Sequence, residues 1–493
     1  MRGQTSRALL NCKVTILLLV AGLARAGDYG LVEAAKSGDR AAVQSLLRQH
    51  AYINSSANDG TTALAWAAHR DDLDMAESLI HAGADVNAAN QLGATPLYLA
   101  CLNGNLAMGE ILLDAGANVN ATLPSGQTAL MTAARTGNPD LVTILLARGA
   151  QVNSKERRLG QTALMWAVAE NHPLTAAALI EHGADVNARS KTGFTALMFA
   201  AQEGNLESAR ILLGAGANLN EIAPDHGSAL MVAALSGHQE LARFFLDRGA
   251  DPNAANQYGV TALDYAILKG LALAAGVQWF ASASELYRPN QPELVKALLA
   301  HGANPNARIL QRPPLPGVRN LVVVSVAGAT PYMLAAASYD AALMRILVDA
   351  GADPHLQTKE KTTALIFAAG LAEGLGKPPL RTEEDDRNAL EAVKLAVQLG
   401  DDVNRANQHD VTPLHAAAYV GSDAIVSFLV EKGARMDVKD DSGQTALSIA
   451  EQIFPPTLLD DNLRPATVHQ STANLLMRLG APPFVLEPAS AKP

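Results

Sequence analysis

Residues 195–220 read TALMFAAQEGNLESARILLGAGANLN, and this stretch contains the signals for two short helices and the turn between them. The hydroxyl of Thr195 can accept a backbone N–H and begin the first helix. A leucine and two paired alanines then recur at helical spacing on one face, and Gly204 supplies the positive φ that ends the helix. The second helix carries the apolar run 211–213 on its buried side and ends at Gly216. The stretch therefore predicts a helix-turn-helix unit.

The same pattern returns at a period of 33 residues along most of the chain. With a degenerate opening unit at 28–57, the sequence predicts twelve units. Because neither helix of a unit can bury its apolar side alone, each unit must pack on the next. The threonine, once serine, that opens the other eleven units is Thr62, Thr95, Thr128, Thr162, Thr195, Ser228, Thr261, Thr330, Thr363, Thr412 and Thr445.

A second motif closes each unit. In uninterrupted units a Gly-Ala pair follows the threonine 21 residues later and precedes Asp/Asn-x-Asn, as in residues 83–87. The whole pattern resembles the ankyrin repeat, and its best copy is TPLHAA at 412–417. The resemblance covers about residues 28–484. It implies an all-α repeat fold, an ankyrin-repeat solenoid of helix-turn-helix units joined by β-hairpin-like loops. It also implies a non-catalytic scaffold whose concave face binds another protein.

Composition and charge narrow the classes of partner. Hydrophobic residues make up 49% of the 493 residues but aromatic residues only 4%, which indicates close packing around small aliphatic side chains. The formal net charge of −10 repels phosphate backbones, so we expect no nucleic-acid binding. Cys12 and Cys101 are too few for a disulfide framework or a Cys-rich metal site.

The amino terminus has the layout of a secretory signal peptide, predicted over residues 1–26. Positive charges precede the apolar run 14–24, and Ala-Arg-Ala at 24–26 offers a cleavage site. The apolar run is about half as long as a transmembrane span, although an uncleaved anchor stays an alternative. Cleavage after Ala26 would leave a mature chain without an integral membrane span, located in the periplasm or outside the cell.

Four insertions interrupt the period, near residues 271–290, 309–326, 373–388 and 453–470. The first, third and fourth interrupt the turn between paired helices, whereas the second enlarges a hairpin connector. Loops of this length either bind a partner or are harmless length variation. Each is too short to bury a core of its own, which disfavours the alternative of an enzyme or enzyme subunit with its site in the insertions. Residues 485–493 are predicted to form a flexible C-terminal tail.

Patterns typical of catalytic or metal sites are missing from the sequence. GLGKP at 374–378 lacks the glycine spacing and the Ser/Thr of a phosphate loop. The acidic run 383–386 is interpreted as a solvated loop rather than a calcium site. His81, His182 and His301 fall at the ends of second helices, where a cation suits the helix dipole, and metal binding is the alternative. We expect no cofactor, no metal and no enzymatic activity.

Two positions of the repeat bear on packing and register. Met131, Met165, Met198, Met231 and Met333 share one position of the first helix, and packing between units is favoured there over an adaptable binding surface. The place of the closing glycine is taken by Asp71 and Asn171, which tolerate a positive φ, and by Tyr339, which does so poorly. Tyr339 should be strained in this place, so we expect either that the turn differs there or that the register slips by one residue.

The predicted partner-contact residues are chiefly the two that precede the closing residue of the first helix, because they vary in chemistry on a monotonous scaffold. Solvent exposure alone would also allow this variety. Aromatic residues of the first insertion are further candidate anchors. The set is His69, Arg70, Leu102, Asn103, Arg135, Thr136, Gln202, Glu203, Leu235, Ser236, Leu268, Lys269, Trp279, Phe280, Tyr287, Tyr419 and Val420. We expect a monomer that holds a protein partner, and a secreted effector or inhibitor is one variant of this hypothesis.

Overall fold

The computed structural model describes residues 30–267, 289–312, 326–371, 382–452 and 468–483. The predicted signal peptide, the C-terminal tail and most of each insertion lie outside these residues. The described residues form 24 α-helices. In chain order, α1 to α24 are Gly30–Ser37, Arg40–Arg48, Ala63–His69, Leu73–His81, Pro96–Asn103, Leu106–Asp114, Ala129–Thr136, Pro139–Ala147, Ala163–Ala169, Pro173–Glu181, Ala196–Glu203, Leu206–Gly214, Ala229–Ser236, Gln239–Asp247, Ala262–Ala266, Pro292–Ala300, Pro331–Ala337, Ala341–Asp349, Ala364–Ala368, Glu383–Gln398, Pro413–Val420, Asp423–Glu431, Ala446–Ala450 and Gln470–Arg478.

The chain divides into two compact units, Met1–Leu219 and Asn220–Pro493. The first contains α1 to α12 and the second α13 to α24, in each case as antiparallel helix pairs. Within each unit the first helix of one pair contacts the first helix of the next, as α3 contacts α5 and α5 contacts α7. Outside the helices, the described residues form only four isolated β-bridges, all in the connectors. The predicted all-α repeat fold with hairpin-like loops is confirmed.

The helix boundaries follow the sequence signals. Thr195 has an extended backbone, and its hydroxyl accepts the N–H of Met198 at 3.4 Å. The other predicted opening residues cap their helices in the same way. Gly204 ends α11 in the left-handed conformation with φ 74°. Tyr339 also has a positive φ, 61°, so the register does not slip there and the tyrosine adopts a conformation that favours glycine.

The core consists mainly of small and aliphatic side chains, as the low aromatic content predicts. Where a first helix carries an alanine pair, both alanines are buried, and in α11 both have 0% exposure. The five methionines that share a position are at most 1% exposed, which identifies them as packing residues. Cys101 is fully buried, and burial raises the pKa of its thiol, so it behaves as a small apolar residue.

The third insertion differs from the prediction. The acidic run 383–386 is the first turn of helix α20 and not a solvated loop. Thr382 caps this helix, and its hydroxyl and N–H both bond to the carboxylate of Asp385 in a capping box. The four acidic residues of this first turn also lie at the positive end of the helix dipole, which stabilises their negative charge. The described part of the third insertion therefore lengthens a helix.

Asparagine side chains join successive repeats. The last residue of the Asp/Asn-x-Asn motif is an asparagine, and its side chain bonds to the backbone at the Gly-Ala pair of the following repeat. In the first unit, Asn120 donates to the carbonyl of Gly149 at 2.9 Å and accepts the N–H of Gln151 at 2.9 Å. Asn87, Asn153, Asn187, Asn253, Asn306 and Asn404 form the corresponding pair of bonds. We call this series the asparagine ladder.

One repeat of the second unit departs from the ladder. His355 stands at the ladder position, and Asp401 replaces the alanine of the following Gly-Ala pair. The Asp401 side chain is only 6% exposed, and its Oδ2 has no hydrogen-bond partner among the described residues. Burial raises the pKa of Asp401 to about 6, although His355, 3.9 Å away, and Arg405 oppose the shift. The hydroxyl of buried Tyr332 is likewise unpartnered.

Removal of one ladder side chain tests its contribution. We expect Asn120→Ala to lower the free energy of unfolding by about 1 kcal/mol, because two backbone groups lose their partner. Gln151→Ala is the matched control, since Gln151 contributes only its backbone N–H to the ladder and should change stability by less than about 0.5 kcal/mol. Urea denaturation followed by circular dichroism measures both. Equal effects of the two substitutions would contradict the ladder.

Asp401 should make stability depend on pH. Its folded-state pKa lies above the ordinary Asp value, so protonation favours folding. Stability from this group is complete below about pH 4 and decreases as the pH rises through about 6. We expect Asp401→Ala to be more stable than the wild type by about 2 kcal/mol at pH 7 and to lose this advantage near pH 4.

Denaturant midpoints measured across that pH range provide the test. The neighbouring Asp402, which is exposed, gives the control variant Asp402→Ala. A stability difference between wild type and Asp401→Ala that stays constant over the range would show that Asp401 does not titrate in this way.

Candidate interaction surface

The predicted contact residues lie in the last turn of the first helices. His69, Arg70 and Asn103 are exposed, whereas the other described members are half-buried. Leu268, Lys269, Trp279, Phe280 and Tyr287 lie outside the described residues. The structure thus places the described candidates at one recurring position, the end of a first helix beside the turn into the second.

Several of these side chains bind the preceding repeat. Asn103 donates to the carbonyl of His69 at 2.8 Å, and Thr136 donates to the carbonyl of Cys101 at 3.3 Å. Arg70 donates to the carbonyl of Lys36 at 3.2 Å. These bonds hold consecutive first helices together. The three side chains therefore contribute to packing between repeats as well as to the surface.

Aromatic rings hold two other candidates. The guanidinium of Arg135 lies 5.5 Å from the ring centroid of Trp166, a cation–π distance. His69 packs edge-on against Trp66 with the ring centroids 5.7 Å apart. Leu102, Gln202, Glu203, Leu235, Ser236, Tyr419 and Val420 complete the described set, and each is half-buried at the surface.

Polar residues at the start of the second helices were missed by the sequence analysis. Asn138 donates to the carbonyl of Gly104 at 2.9 Å, and Asn205 donates to the carbonyl of Val168 at 2.8 Å. In the second unit, Gln291 donates to the carbonyl of Ala234 at 2.9 Å. The signal in the sequence is a polar side chain next to the closing residue of the first helix. Its amide satisfies carbonyls that a helix end leaves without a partner.

The tips of the hairpin connectors form the other regular part of the surface. Several tips have an anchor residue whose side chain accepts backbone N–H groups of its own turn, as Asn90 accepts those of Leu92 at 3.0 Å and Ala94 at 2.9 Å. The tip backbone also bonds to the preceding tip, for example from Lys191 N–H to the carbonyl of Leu159 at 2.7 Å. The tips are therefore held in fixed register, and the sequence analysis did not include them.

Glu156 is an unusual anchor residue. Its carboxylate is buried and accepts the N–H groups of Arg158 and Leu159, both at 2.6 Å, and of Gln161 at 3.1 Å. Partial burial acts to raise the pKa of Glu156, but these backbone donors outweigh it and hold the pKa below its usual value. The acid of this tip therefore points inward while its basic neighbours are exposed.

The histidines at the ends of second helices have structural partners. A ring nitrogen of His81, His182 and His301 lies 2.8 Å from the carbonyl oxygen four residues earlier in each case. In the described part of the chain, no three His, Cys, Asp or Glu side chains gather as metal ligands. Nor does any described helix have the length and apolar character needed to cross a membrane.

Comparison with known proteins assigns the repeats. The family model for ankyrin repeats (3 copies) matches residues 31–122, 66–156, 130–223, 197–309 and 385–452. The chain is 32% identical over 108 residues to the E3 ubiquitin-protein ligase KEG of Arabidopsis thaliana, which is 22% of this chain and 6% of that protein. It is 32% identical over 131 residues to human ankyrin repeat domain-containing protein 63, which is 25% of this chain and 30% of that protein. A putative palmitoyltransferase ZDHHC13 of Danio rerio is 36% identical over 72 residues, which is 15% of this chain and 10% of that protein. The chain thus spans less than a third of the length of each of these relatives.

Substitution of Glu156 tests its role as an anchor. We expect Glu156→Ala to lower the free energy of unfolding by about 2 kcal/mol, because three backbone N–H groups lose an ionised acceptor. Glu156→Gln should recover part of this loss, since its amide oxygen still accepts. Arg158→Ala is the control and should be near neutral. If Glu156→Ala unfolds at the same urea concentration as Arg158→Ala, Glu156 does not hold the tip.

Proposed function

Because the chain belongs to the ankyrin-repeat family, we propose that it is a non-catalytic scaffold that binds another protein through its regular repeat surface and inserted loops. Family membership indicates protein–protein interaction. The single observation that carries the proposal is the match of the repeat model to most of the chain. Chemically varied side chains on the surface of a uniform stack support it.

The proposal that the chain is not an enzyme is supported by what the repeats contain. Ankyrin-repeat domains are generally non-catalytic. Two relatives are named as a ligase and a palmitoyltransferase, but the matches cover only 6% and 10% of those proteins. The residues of this chain that match the family model are repeats, and their conspicuous polar side chains bond to neighbouring backbone rather than to one another in a catalytic arrangement.

Export is part of the proposal. The charged, apolar and small-residue segments of residues 1–26 support a cleaved signal peptide, which would place the mature chain in the periplasm or medium. A secreted effector or inhibitor is a scaffold of this kind that acts outside the producing cell. We propose a monomer as the functional form.

The first insertion can be removed cleanly, which allows a test of the binding surface. Gln291 N–H bonds to the carbonyl of Ala266 at 2.9 Å, just as His172 N–H bonds to that of Ala167 at 2.9 Å in a regular repeat. Residues 267–290 can therefore be replaced by the turn 168–171. Deletion of 373–388 is less suitable, because it would remove the first turns of α20.

Immobilised residues 27–493 and the grafted variant are used to capture proteins from envelope, culture and cytoplasmic fractions, with mass spectrometry as the readout. We expect the wild-type chain to retain a reproducible set of proteins from the envelope or culture fraction. The grafted variant should retain less of that set while its helical circular dichroism is unchanged. Unchanged capture would assign binding to the regular surface. Failure of the wild-type chain to retain any protein above the uncoupled matrix would refute the scaffold.

A further inference from the structure

The hairpin tips of the two units differ in charge. In the first unit, the tips 57–60, 90–93, 123–126, 156–159 and 190–193 contain two acidic residues, which are the half-buried Asp59 and Glu156, whose carboxylate is buried. Several described tips of the second unit carry acidic residues, which are Asp225, Glu360, Asp410, Asp440 and Asp441. In the first unit, therefore, neither acidic residue of the tips is fully exposed, although the chain has a net charge of −10.

Four cationic side chains lie at or next to two adjacent tips, 156–159 and 190–193. We call this group, Lys155, Arg157, Arg158 and Lys191, the cationic edge. Lys155 donates to the carbonyl of Arg189 at 2.7 Å, Arg157 donates to that of Pro124 at 3.1 Å, and Lys191 donates to that of Arg157. All four side chains are exposed, and among the described residues none of them pairs with a carboxylate. Carbonyl groups hold Lys155, Arg157 and Lys191 in place but leave their charge uncompensated.

The same edge exposes apolar side chains. Leu159 follows Arg158 directly and is 37% exposed, and Leu92, two tips earlier, is 61% exposed. Glu156 and the bonds between tips hold this backbone rigid, so a partner would bind without having to order the edge. The edge thus combines preorganised cations with exposed leucines.

The geometry points to an acidic, leucine-containing segment of a partner protein as the occupant of the cationic edge. This inference rests on the proposed scaffold function and specifies the chemistry of the partner. An acidic segment would supply the carboxylates that the edge lacks, and its leucines would cover Leu92 and Leu159. Protein is favoured over a nucleic acid or an anionic membrane because the cations are confined to two tips and the rest of the chain is acidic, which repels an extended array of phosphates.

A fluorescent peptide of repeated Glu-Leu-Asp-Glu units is the probe, and its Gln/Asn counterpart is the uncharged control. Fluorescence anisotropy with residues 27–493 is measured at about 0.1 M salt, where the Debye length is about 10 Å. We expect Arg157→Glu/Arg158→Glu to weaken binding of the acidic peptide by about tenfold or more. The uncharged peptide should bind weakly to every variant, and added salt should weaken the wild-type complex.

The second unit offers a matched control. Lys359 occupies the register of Arg157, because its N–H bonds to the preceding tip and its ammonium donates to the carbonyl of Leu310 at 3.2 Å. Lys359 is, however, flanked by Glu360. Lys359→Glu/Lys361→Glu changes the net charge by the same amount as the double variant of the cationic edge. We expect it to change peptide affinity by less than about twofold.

Three outcomes of the binding and sedimentation measurements would overturn the inference. The first is an equal loss of affinity in both double variants, which would reflect net charge alone. The second is tighter, edge-dependent binding of a single-stranded oligonucleotide or of phosphatidylserine-containing vesicles. The third is a change in sedimentation of the free chain on Arg157→Glu/Arg158→Glu, which would identify a second copy as the occupant.

The capture experiment separates this inference from the proposed function. If the captured protein set is retained equally by the wild type and this variant, the cationic edge does not bind the partner, but the scaffold function is unaffected. If the wild type captures nothing, the scaffold itself fails.

Discussion

The structure depends on one constraint, which is that a pair of short helices cannot bury its own apolar side. Most of the described helices have nine residues or fewer, and isolated helices of that length are marginal in water. Stability must then come from the next pair, whose alanines allow a close approach and whose leucines and methionines fill the interface. The capping threonines, the closing glycines and the asparagine ladder all serve to align one pair with the next.

Much of the fold could be predicted because its signals are local. The hydroxyl of Thr195 and the positive φ of Gly204 act within a few residues, so the sequence reveals where helices begin and end. The acidic run 383–386 was wrongly predicted to be a loop because it falls in an insertion, where the repeat pattern gives no guide to secondary structure. The insertion obscured a capping box between Thr382 and Asp385, a signal that sequence does contain.

The surface was less predictable because its residues act across repeats. The same position carries Asn103 and Glu203, yet Asn103 bonds to the preceding first helix and to the side chain of Asp71, whereas Glu203 accepts a hydrogen bond from Gln202 of its own helix. Whether a polar residue faces solvent or a neighbouring carbonyl depends on a residue roughly one repeat away, which a single unit does not disclose. The burial of Asp401 has the same origin, since packing between repeats decides it. The inward carboxylate of Glu156 follows instead from hydrogen bonds within its own turn.

The asparagine ladder has a consequence for how such a chain can grow. In a regular repeat the bond from Asn120 to Gly149 spans 29 residues, whereas the bond from Asn253 to Gly302 spans 49 residues and that from Asn306 to Gly351 spans 45. The bond is made in all three cases, so the added residues leave the contact intact. Closing a longer loop costs only slightly more conformational entropy. Junctions of this kind are permissive sites, at which evolution or an engineer can splice in foreign sequence while the flanking repeats keep their register.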